Sequence, residues 1–459
     1  MILEETIVAI STPIGEGAIA IVRISGPRAI ALADKLFLGK VSLSAVPSHS
    51  LHHGKIVNPK TGALIDEVLV SVMKAPNTYT AEDMVEINCH GSILITRNIL
   101  ELVLDIGARL ATPGEFTRRA FLNGRIDLAE AEAVIDVIRS KADLSLKVAL
   151  DQLKGDLSGN FAEIRRNIIQ ALSVVEAGLD FSDQVSDIDA CDEVLQPLKK
   201  AEKIITRLLC GSRIGQQLRE GFVVVIVGRT NVGKSSLFNA LLQTNRAIVT
   251  DIPGTTRDSI SEQIELAGIP VRLVDTAGFH ASSGIVEKEG IKRTRQQIDS
   301  ADLLLLMLDG SAALRKEDRC LLRETEKHSR LLVINKIDLP NLLDIGRLRG
   351  LPVPQKKIRT SAKRGDGIGD LAKIIRETML NGQGPDVSEP IVTRVRHQQA
   401  LKTTLRDIRR ARRKVKRGGE EELLAVDLQE ALSTLGQITG ETCNEEILEH
   451  IFSQFCVGK

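Results

Sequence analysis

A glycine-rich segment, Gly228 to Ser235, has the spacing glycine, four residues, glycine, lysine, serine. The backbone N–H groups of such a loop can wrap the phosphates of a nucleotide, while Lys234 reaches the β and γ oxygens and Ser235 ligates Mg²⁺. The loop follows an apolar strand-like run and precedes a helical pattern, which is the context that this chemistry requires. We therefore expect a nucleoside triphosphate site with contacts from Asn231, Val232, Gly233, Lys234, Ser235 and Ser236.

Two further segments indicate the base. Asn335 to Asp338 follows an apolar run, and the Asp338 carboxylate can accept two hydrogen bonds from the N1–H and exocyclic amine of guanine, which adenine cannot offer. The segment 361–363 follows another strand-like run. It supplies a third element, of the kind that typically packs against the base. All these strings occur in the chain order of a guanine-nucleotide-binding domain. We expect GTP as the ligand, with base contacts from Asn335, Lys336, Asp338, Ser361, Ala362 and Lys363.

An aspartate after a further apolar run indicates the γ-phosphate side of the site. Asp275 is placed to join the Mg²⁺ shell, and Gly278 can sense the γ-phosphate. The next residue, Phe279, cannot orient water as the glutamine of Ras-like proteins does. Another group must then act in catalysis, and Glu287 or Glu289 could polarise water, although both suit a solvated surface equally. From the segment that begins with this aspartate, the predicted site includes Asp275, Thr276, Ala277 and Gly278.

The segment 250–258 has the composition of a first switch loop. Thr256 is suited to ligate Mg²⁺ together with Ser235. Arg257 has an equally good role in surface ion pairing, so the segment holds no obvious arginine finger, and a monovalent cation could supply the positive charge instead. The predicted nucleotide contacts here are Thr250, Asp251, Ile252, Pro253, Gly254, Thr255 and Thr256.

The elements that must position these motifs define the predicted domains. Strand and helix patterns alternate over residues 221–380, as in a Ras-like α/β P-loop G-domain. Residues 1–122 mix short strands with helices and predict an α+β domain. Residues 123–220 and 381–459 have helical periodicity, and each is short for a core of its own. We expect one discontinuous all-α helical domain into which the G-domain is inserted.

Composition excludes several classes of protein. Hydrophobic residues make up 43% and charged residues 26%, and no apolar run approaches the roughly 20 residues that cross a bilayer. The first residues are acidic, unlike a targeting leader, and the six cysteines form no C-x-x-C pair, which disfavours a disulfide framework or zinc cage. A net charge of +1 and 2% aromatic residues disfavour single-strand binding by base stacking. We expect a cytoplasmic protein without a membrane partner.

Longer segments resemble one family. The strings G-R-x-N-x-G-K-S-S and D-I-x-G-T-T-R-D are shared with bacterial GTPases such as Era and Der. The ends of the chain are more specific and resemble the MnmE (TrmE) family of tRNA-modification GTPases. The segments that carry this resemblance are Thr6 to Ile10, Gly17 to Gly26, Pro113 to Asn123, Ile438 to Glu441 and Phe455 to Lys459.

This resemblance implies a set of partners and cofactors. The N-terminal domain would form a homodimer and bind 5-formyl-tetrahydrofolate or a related folate. An FAD- and NADH-dependent partner, MnmG (GidA), would join the chain in a hetero-oligomer. Together they would install an aminomethyl or carboxymethylaminomethyl group on carbon 5 of the wobble uridine of certain tRNAs.

The resemblance also implies roles for particular residues. Folate contacts fall on Arg23, Glu86, Arg125 and Lys459, where Arg125 keeps the charge of a position that is often lysine in the family. K⁺ would stimulate GTP hydrolysis from a site formed by Asn231, Thr250, Ile252 and Thr255. The family's catalytic glutamate falls on Glu287, which favours it over Glu289.

Some residues keep two interpretations. The resemblance makes Cys456 a candidate for the modification chemistry, but a small core side chain fits as well, and the Gly458-Lys459 ending disfavours lipidation. The pairs His52-His53 and Cys89-His90 lack a complete metal set. A basic run could contact tRNA or form a solvated helix face. It consists of Arg409, Arg410, Arg412, Arg413, Lys414, Lys416 and Arg417.

Two other functions compete with tRNA modification. An assembly switch like Era or Der would bind ribosomes and modify nothing, yet Era-like proteins carry a KH domain and Der two G-domains, and neither pattern is found here. A scaffold that uses GTP only for stability would show negligible turnover.

Overall fold

The computed structural model describes residues 5–180, 187–244, 261–275, 295–344, 348, 350–380, 382, 389–417 and 421–459. Contacts divide the chain into two compact units. The first unit consists of residues 1–135, 161–165 and 425–459, and the second of residues 136–160 and 166–424.

A seven-stranded sheet forms the centre of the first unit, with strand order β3-β4-β5-β6-β2-β1-β7. Its strands are β1 Ile7–Ile10, β2 Gly17–Ser25, β3 Phe37–Gly39, β4 Ser50–Val57, β5 Leu64–Met73, β6 Met84–Gly91 and β7 Arg109–Leu110. All neighbours are antiparallel except β1 and β7. Helices α1 Ala29–Leu36 and α2 Ile93–Asp105 pack on one face, where the inward side chains of the strands alternate with outward ones.

The register between β2 and β6 has a consequence for the predicted site. Arg23 of β2 lies directly opposite Glu86 of β6. Residues opposed in this way point to the same face of the sheet and bring their side chains within reach of each other. Two residues that are far apart in sequence are therefore neighbours because of strand pairing alone.

Helices occupy the segments before and after the second sheet. They are α3 Glu115–Leu122, α4 Leu128–Arg139, α5 Asp143–Leu153, α6 Asp156–Asp180, α7 Asp187–Cys210, α8 Ser212–Glu220, and later α12 Val395–Lys416, α13 Glu421–Thr439 and α14 Glu445–Phe452. Helix α7 packs along α12 although the whole second sheet separates them in sequence. The division into two units cuts through α4, α6 and α13.

The second unit contains a six-stranded sheet with the order β13-β12-β11-β8-β10-β9. Its strands are β8 Phe222–Val227, β9 Ser261–Leu266, β10 Ile269–Asp275, β11 Leu303–Asp309, β12 Arg330–Asn335 and β13 Lys357–Arg359. All pairs are parallel except the β9–β10 hairpin. Parallel strands covered on both faces bury nearly every side chain, which explains the continuous apolar runs Phe222–Val227 and Leu303–Leu308.

Helices α9 Lys234–Thr244, α10 Lys316–Glu324 and α11 Ile368–Met379 connect these strands. The carboxyl ends of β8, β10, β11 and β12 meet at one edge of the sheet, so the loops that follow them lie together. The predicted fold class is confirmed: an α+β N-terminal part, helical segments and a Ras-like α/β P-loop sheet. The domain boundaries at residues 122, 220 and 380 stay a prediction. Among the residues that the structure describes, no helix is long and apolar enough to span a membrane.

Candidate functional site

The phosphate loop connects the end of β8 to the start of α9. Two of its residues, Asn231 and Gly233, have left-handed backbone angles, with φ of 62° and 99°. A Cβ on Gly233 would lie 2.4 Å from Asn335 Nδ2, so only glycine fits at this point. The loop therefore turns back on itself and lies against the loop after β12.

Lys234 and Ser235 begin α9 and have defined partners within the loop. Lys234 Nζ donates hydrogen bonds to the carbonyl oxygens of Gly228 at 3.0 Å and Arg229 at 3.1 Å. Burial lowers the pKa of Lys234, and the nearby Asp275 carboxylate opposes that shift. A desolvated ammonium at the first turn of a helix suits a phosphate anion.

Ser235 and Asp275 provide adjacent oxygen atoms. Ser235 Oγ donates to Asp275 Oδ2 at 2.9 Å, and Asp275 is the last residue of β10. A hydroxyl and a carboxylate are the hard ligands that Mg²⁺ prefers, so the donor set fits that ion. The two residues were predicted from separate motifs, and the sheet brings them together.

Asn335 links three segments of the site. Its Nδ2 donates to the carbonyl oxygen of Val232 at 2.9 Å, and its Oδ1 accepts from the Ala362 backbone N–H at 3.0 Å. The side chain is buried, so each of these bonds is formed away from water. Asn335 thus fixes the phosphate loop relative to the loop that begins at Ser361.

Asp338 lies at the end of the same motif. Its Oδ1 accepts from Ser361 Oγ at 2.7 Å, and this bond lowers the pKa of the Asp338 carboxyl. The group is therefore ionised at neutral pH and can accept hydrogen bonds from a base. Ala362 and Lys363 follow Ser361 directly and lie in the same loop.

Asp309 was missed by the reasoning from sequence. It ends β11, and its carboxylate accepts from Lys336 Nζ at 2.8 Å and from Ser311 Oγ at 2.6 Å. Burial acts to raise its pKa, but the bonds from Lys336 and Ser311 outweigh burial and lower it. Arg229 of the phosphate loop lies 3.5 Å from the same carboxylate. The signal that could have identified Asp309 is its position after an apolar parallel strand, which Asp275 and Asn335 share.

Lys336 extends this network to the phosphate loop. Its Nζ also donates to the carbonyl oxygen of Asn231 at 2.7 Å. Lys336 therefore links Asp309 to the phosphate loop.

Part of the predicted site lies outside the described residues. This holds for Thr250, Asp251, Ile252, Pro253, Gly254, Thr255 and Thr256, and for Thr276, Ala277, Gly278 and Glu287. Of the four predicted K⁺ ligands, Asn231 alone is among the described residues.

A second group of predicted residues meets in the first unit. Arg23 Nε donates to Glu86 Oε1 at 2.8 Å, and Arg23 NH1 donates to the carbonyl oxygen of Gly458 at 3.0 Å. Ser11 Oγ donates to the same carbonyl at 3.2 Å. These bonds fix the C-terminal residues beside β2 and the end of β1.

Gly458 allows the close approach of the C-terminus. Its φ is 97°, and a Cβ there would lie 2.5 Å from the carbonyl oxygen of Ile10. Lys459 follows it and is half-buried beside Arg23, and both burial and that guanidinium lower its pKa, whereas Glu86 acts in the opposite direction.

The ring of Tyr79 is the common neighbour of three predicted cations. Arg125 Cζ lies 4.8 Å from its centroid, Lys459 Nζ 5.6 Å and Arg23 Cζ 5.7 Å. The Tyr79 hydroxyl is 2.8 Å from Thr117 Oγ1, which holds the ring in place. We call Arg23, Tyr79, Glu86, Arg125 and Lys459 the Tyr79 cluster. Tyr79 was not among the site residues predicted from the sequence, although it is the single tyrosine of the chain.

Cys456 lies close to this cluster in sequence and has an exposed thiol. Its carbonyl oxygen accepts from the Lys459 N–H at 3.3 Å, so its backbone helps to form the last turn. Because Cys456 is exposed, it does not fit the interpretation as a small core side chain. Among the residues that the structure describes, no group of three or more His, Cys, Asp or Glu could hold a metal ion, and His52, His53, Cys89 and His90 form no such group.

Comparison with known families identifies the chain. A family model described as the MnmE helical domain matches residues 128–456, and one described as the GTP-binding protein TrmE N-terminus matches residues 6–125. The chain belongs to the MnmE (TrmE) family.

Relatives in this family match along the whole chain. The tRNA modification GTPase MnmE of Geobacillus thermodenitrificans strain NG80-2 is 46% identical and covers 99% of both chains. That of Carboxydothermus hydrogenoformans is 46% identical with 100% of both chains covered, and that of Staphylococcus aureus strain Newman is 44% identical with 99% covered. As an MnmE family member, the chain is a tRNA modification GTPase.

Proposed function

We propose that this GTPase works with an FAD-dependent partner of the MnmG type to modify carbon 5 of the wobble uridine in certain tRNAs. A folate of the 5-formyl-tetrahydrofolate type supplies the one-carbon unit, and K⁺ stimulates GTP hydrolysis. The observation that supports the folate part best is the Tyr79 cluster, in which residues that the family resemblance selected meet at one ring.

GTP binding is assigned to the loops at the carboxyl edge of the second sheet. Lys234 neutralises phosphate charge, and Asp338, held ionised by Ser361, accepts hydrogen bonds from guanine. The remaining contacts are the residues predicted in 231–236, 250–256, 275–278, 335–338 and 361–363. Mg²⁺, held by Ser235, Thr256 and the adjacent Asp275, would neutralise charge that develops on the phosphates.

Hydrolysis needs a positive charge and a group that positions water. Phe279 cannot position water, so we assign that role to Glu287. Oxygen atoms of Asn231, Thr250, Ile252 and Thr255 would hold K⁺, and uncharged oxygens suit a weakly hydrated monovalent cation. K⁺ would then take the place of an arginine finger.

Folate binding is assigned to Arg23, Glu86, Arg125 and Lys459. A folate has carboxylates and a flat ring system with N–H donors. The cations of the Tyr79 cluster complement carboxylates, Glu86 accepts from N–H groups, and an aromatic face suits a flat ring. The cluster therefore has the chemistry that this ligand needs. A homodimer formed through the N-terminal domain belongs to the same proposal, as does a role of Cys456 in the modification chemistry.

The mechanism of hydrolysis is tested by GTP turnover in KCl and in NaCl at equal ionic strength. We expect turnover about a hundredfold faster in K⁺, as for the gain of one transition-state charge contact. Glu287→Ala should abolish it, and the matched variant Glu289→Ala should retain it. Equal rates in both salts would contradict the K⁺ mechanism.

The folate assignment is tested by calorimetric titration with 5-formyl-tetrahydrofolate. Arg23→Ala should weaken folate binding while GTP binding is unchanged. Arg97→Ala is the matched control, because Arg97 is an exposed arginine that pairs with Glu101 on a helix. Modification of tRNA by the chain, the partner, NADH and folate then tests the whole reaction.

A further inference from the structure

Helix α12 concentrates positive charge in a chain that is otherwise close to neutral. It contains nine lysines and arginines and a single carboxylate, Asp407, whereas the formal net charge of the whole chain is +1. A helix this basic experiences strong self-repulsion unless its charges are paired or face an anionic partner. The contacts of each side chain show which of these two cases applies to it.

Part of the basic run stabilises the helix packing. Arg409 and Arg412 both pair with Glu202 of α7. Arg406 and Arg410 flank the buried Asp407 carboxylate on their own helix. Lys414 Nζ donates to the carbonyl oxygen of Leu423.

The exposed lysines and arginines of α12, together with Arg417 just after it, form a continuous basic stripe. Counting 100° per residue, they fall within an arc of about 100° and extend over about 20 Å of helix. We call this set the α12 stripe, and it consists of Lys402, Arg406, Arg409, Arg413, Lys416 and Arg417. Within the described part of the chain, Lys402, Arg413, Lys416 and Arg417 form no ion pair.

Helix α7 adds to the same surface. Glu202 of α7 lies beside Arg409, whereas Ser212, just after α7, accepts a bond from Gln398 near the start of α12. The two helices are therefore antiparallel. The exposed Lys199, one turn before Glu202, lies toward the Arg413 end of the stripe.

We propose that the α12 stripe binds the phosphate backbone of tRNA, an inference that rests on the proposed function and names a contact surface for its RNA substrate. Arginines and lysines at one-turn intervals along a helix suit the regular charges of a nucleic-acid backbone. The apolar face of α12, with Leu401, Leu405 and Ile408, is buried. A helix that lies in a lipid surface instead exposes its apolar face to the membrane, so RNA fits better than lipid.

The test compares two triple variants that remove equal charge. The first is Arg413→Gln, Lys416→Gln and Arg417→Gln on the stripe. The control is Lys147→Gln, Lys316→Gln and Lys327→Gln, which are exposed lysines elsewhere in the second unit. Binding of fluorescein-labelled tRNA is measured by anisotropy at several salt concentrations between about 50 and 200 mM.

Each phosphate contact contributes about 0.7–0.9 to the slope of log affinity against log salt. Loss of three contacts should make this slope shallower by about 2–3. Over the fourfold salt range, the fold-decrease in tRNA affinity should therefore be about 20 to 40 times smaller for the stripe variant than for the unmodified chain. The control variant should keep the original slope. Equal GTP turnover in all three proteins shows that the fold is intact.

A stripe variant with the same slope as the control would overturn the proposal. A second result would also overturn it: vesicles with anionic phospholipids bind the unmodified chain but not the stripe variant, while tRNA binding is unchanged. The stripe would then be a lipid-binding surface. If instead the proposed function is wrong, tRNA binding will still depend on the stripe, but the unmodified chain and its partner will leave the uridine unmodified.

Discussion

The nucleotide site and the Tyr79 cluster both gather charged side chains, but the fold assembles them differently. The nucleotide residues follow consecutive parallel strands, so each loop contributes a short run of neighbouring residues. Members of the Tyr79 cluster come from distant segments, and the Arg23 side chain binds a carbonyl 435 residues away. The first kind of site is fixed by loop conformation and the second by long-range packing.

This difference predicts which kind of substitution disrupts each site. The nucleotide site should be most sensitive to changes in backbone conformation within a loop. The Tyr79 cluster should be most sensitive to changes in the interactions that support the first unit. Single substitutions at each site test these expectations.

Gly233→Ala should have the largest effect. Its φ of 99° and the 2.4 Å approach to Asn335 Nδ2 require both strain and displacement. Together these cost on the order of 3 kcal/mol, or about a hundredfold in the Kd for GDP. Titration with a fluorescent GDP analogue measures this.

Gly369→Ala is the control for that change, since nothing lies within 4 Å of the position that its added methyl group would take in helix α11. It should leave the Kd unchanged and stabilise the helix by up to about 1 kcal/mol. Equal Kd values for the two variants would show that loop conformation does not decide affinity.

Glu115→Gln tests the support of the first unit. Burial acts to raise the pKa of Glu115, but hydrogen bonds from Arg109, Thr112 and Arg119 outweigh burial and lower it from 4.5 to about 2. The carboxylate therefore contributes about 3 kcal/mol above pH 4.5, and this contribution is lost as the pH falls from 4.5 toward 2.

Urea unfolding followed by Tyr79 emission measures this contribution, because the chain has one tyrosine and no tryptophan. The variant should be destabilised at neutral pH and should match the unmodified chain near pH 2. The exposed Glu101→Gln serves as the control and should change stability by less than about 1 kcal/mol. A constant difference at every pH would contradict the assigned titration.

Asp309→Asn should weaken both GDP and GTP binding about tenfold, a loss of about 1.4 kcal/mol. The amide accepts a weaker hydrogen bond from Lys336, and Arg229 loses one of its neighbouring carboxylates while Asp318 remains. The exposed Asp370→Asn, which loses a surface pair with Lys373, should have no effect. Unchanged affinity in Asp309→Asn would remove this residue from the site.

Tyr79→Leu should weaken 5-formyl-tetrahydrofolate binding about fivefold, because the flat folate ring loses an aromatic face worth about 1 kcal/mol. Tyr79→Phe keeps the ring and loses the bond to Thr117, so it should bind nearly as well. Calorimetry measures both affinities. If the two variants are equally impaired, the hydroxyl rather than the ring is responsible.

The sequence alone predicted the fold class and the elements of the nucleotide site. This was possible because buried parallel strands require continuous apolar runs and because each loop is specified by consecutive residues such as Gly233 to Ser235. The family resemblance supplied the predicted folate contacts, and nothing in their spacing would have identified them as neighbours.

Tertiary structure alone decided what lies beside these residues. Asp309 joins the nucleotide site because parallel strands end at one edge, and Tyr79 lies among the cations because strand pairing and the C-terminal turn converge there. Likewise, Glu202 of α7 pairs with Arg409 of α12 only because the two helices pack together. Side-chain periodicity determines which face of an element is buried, but contacts between elements depend on register and packing, which residue spacing along the chain does not encode.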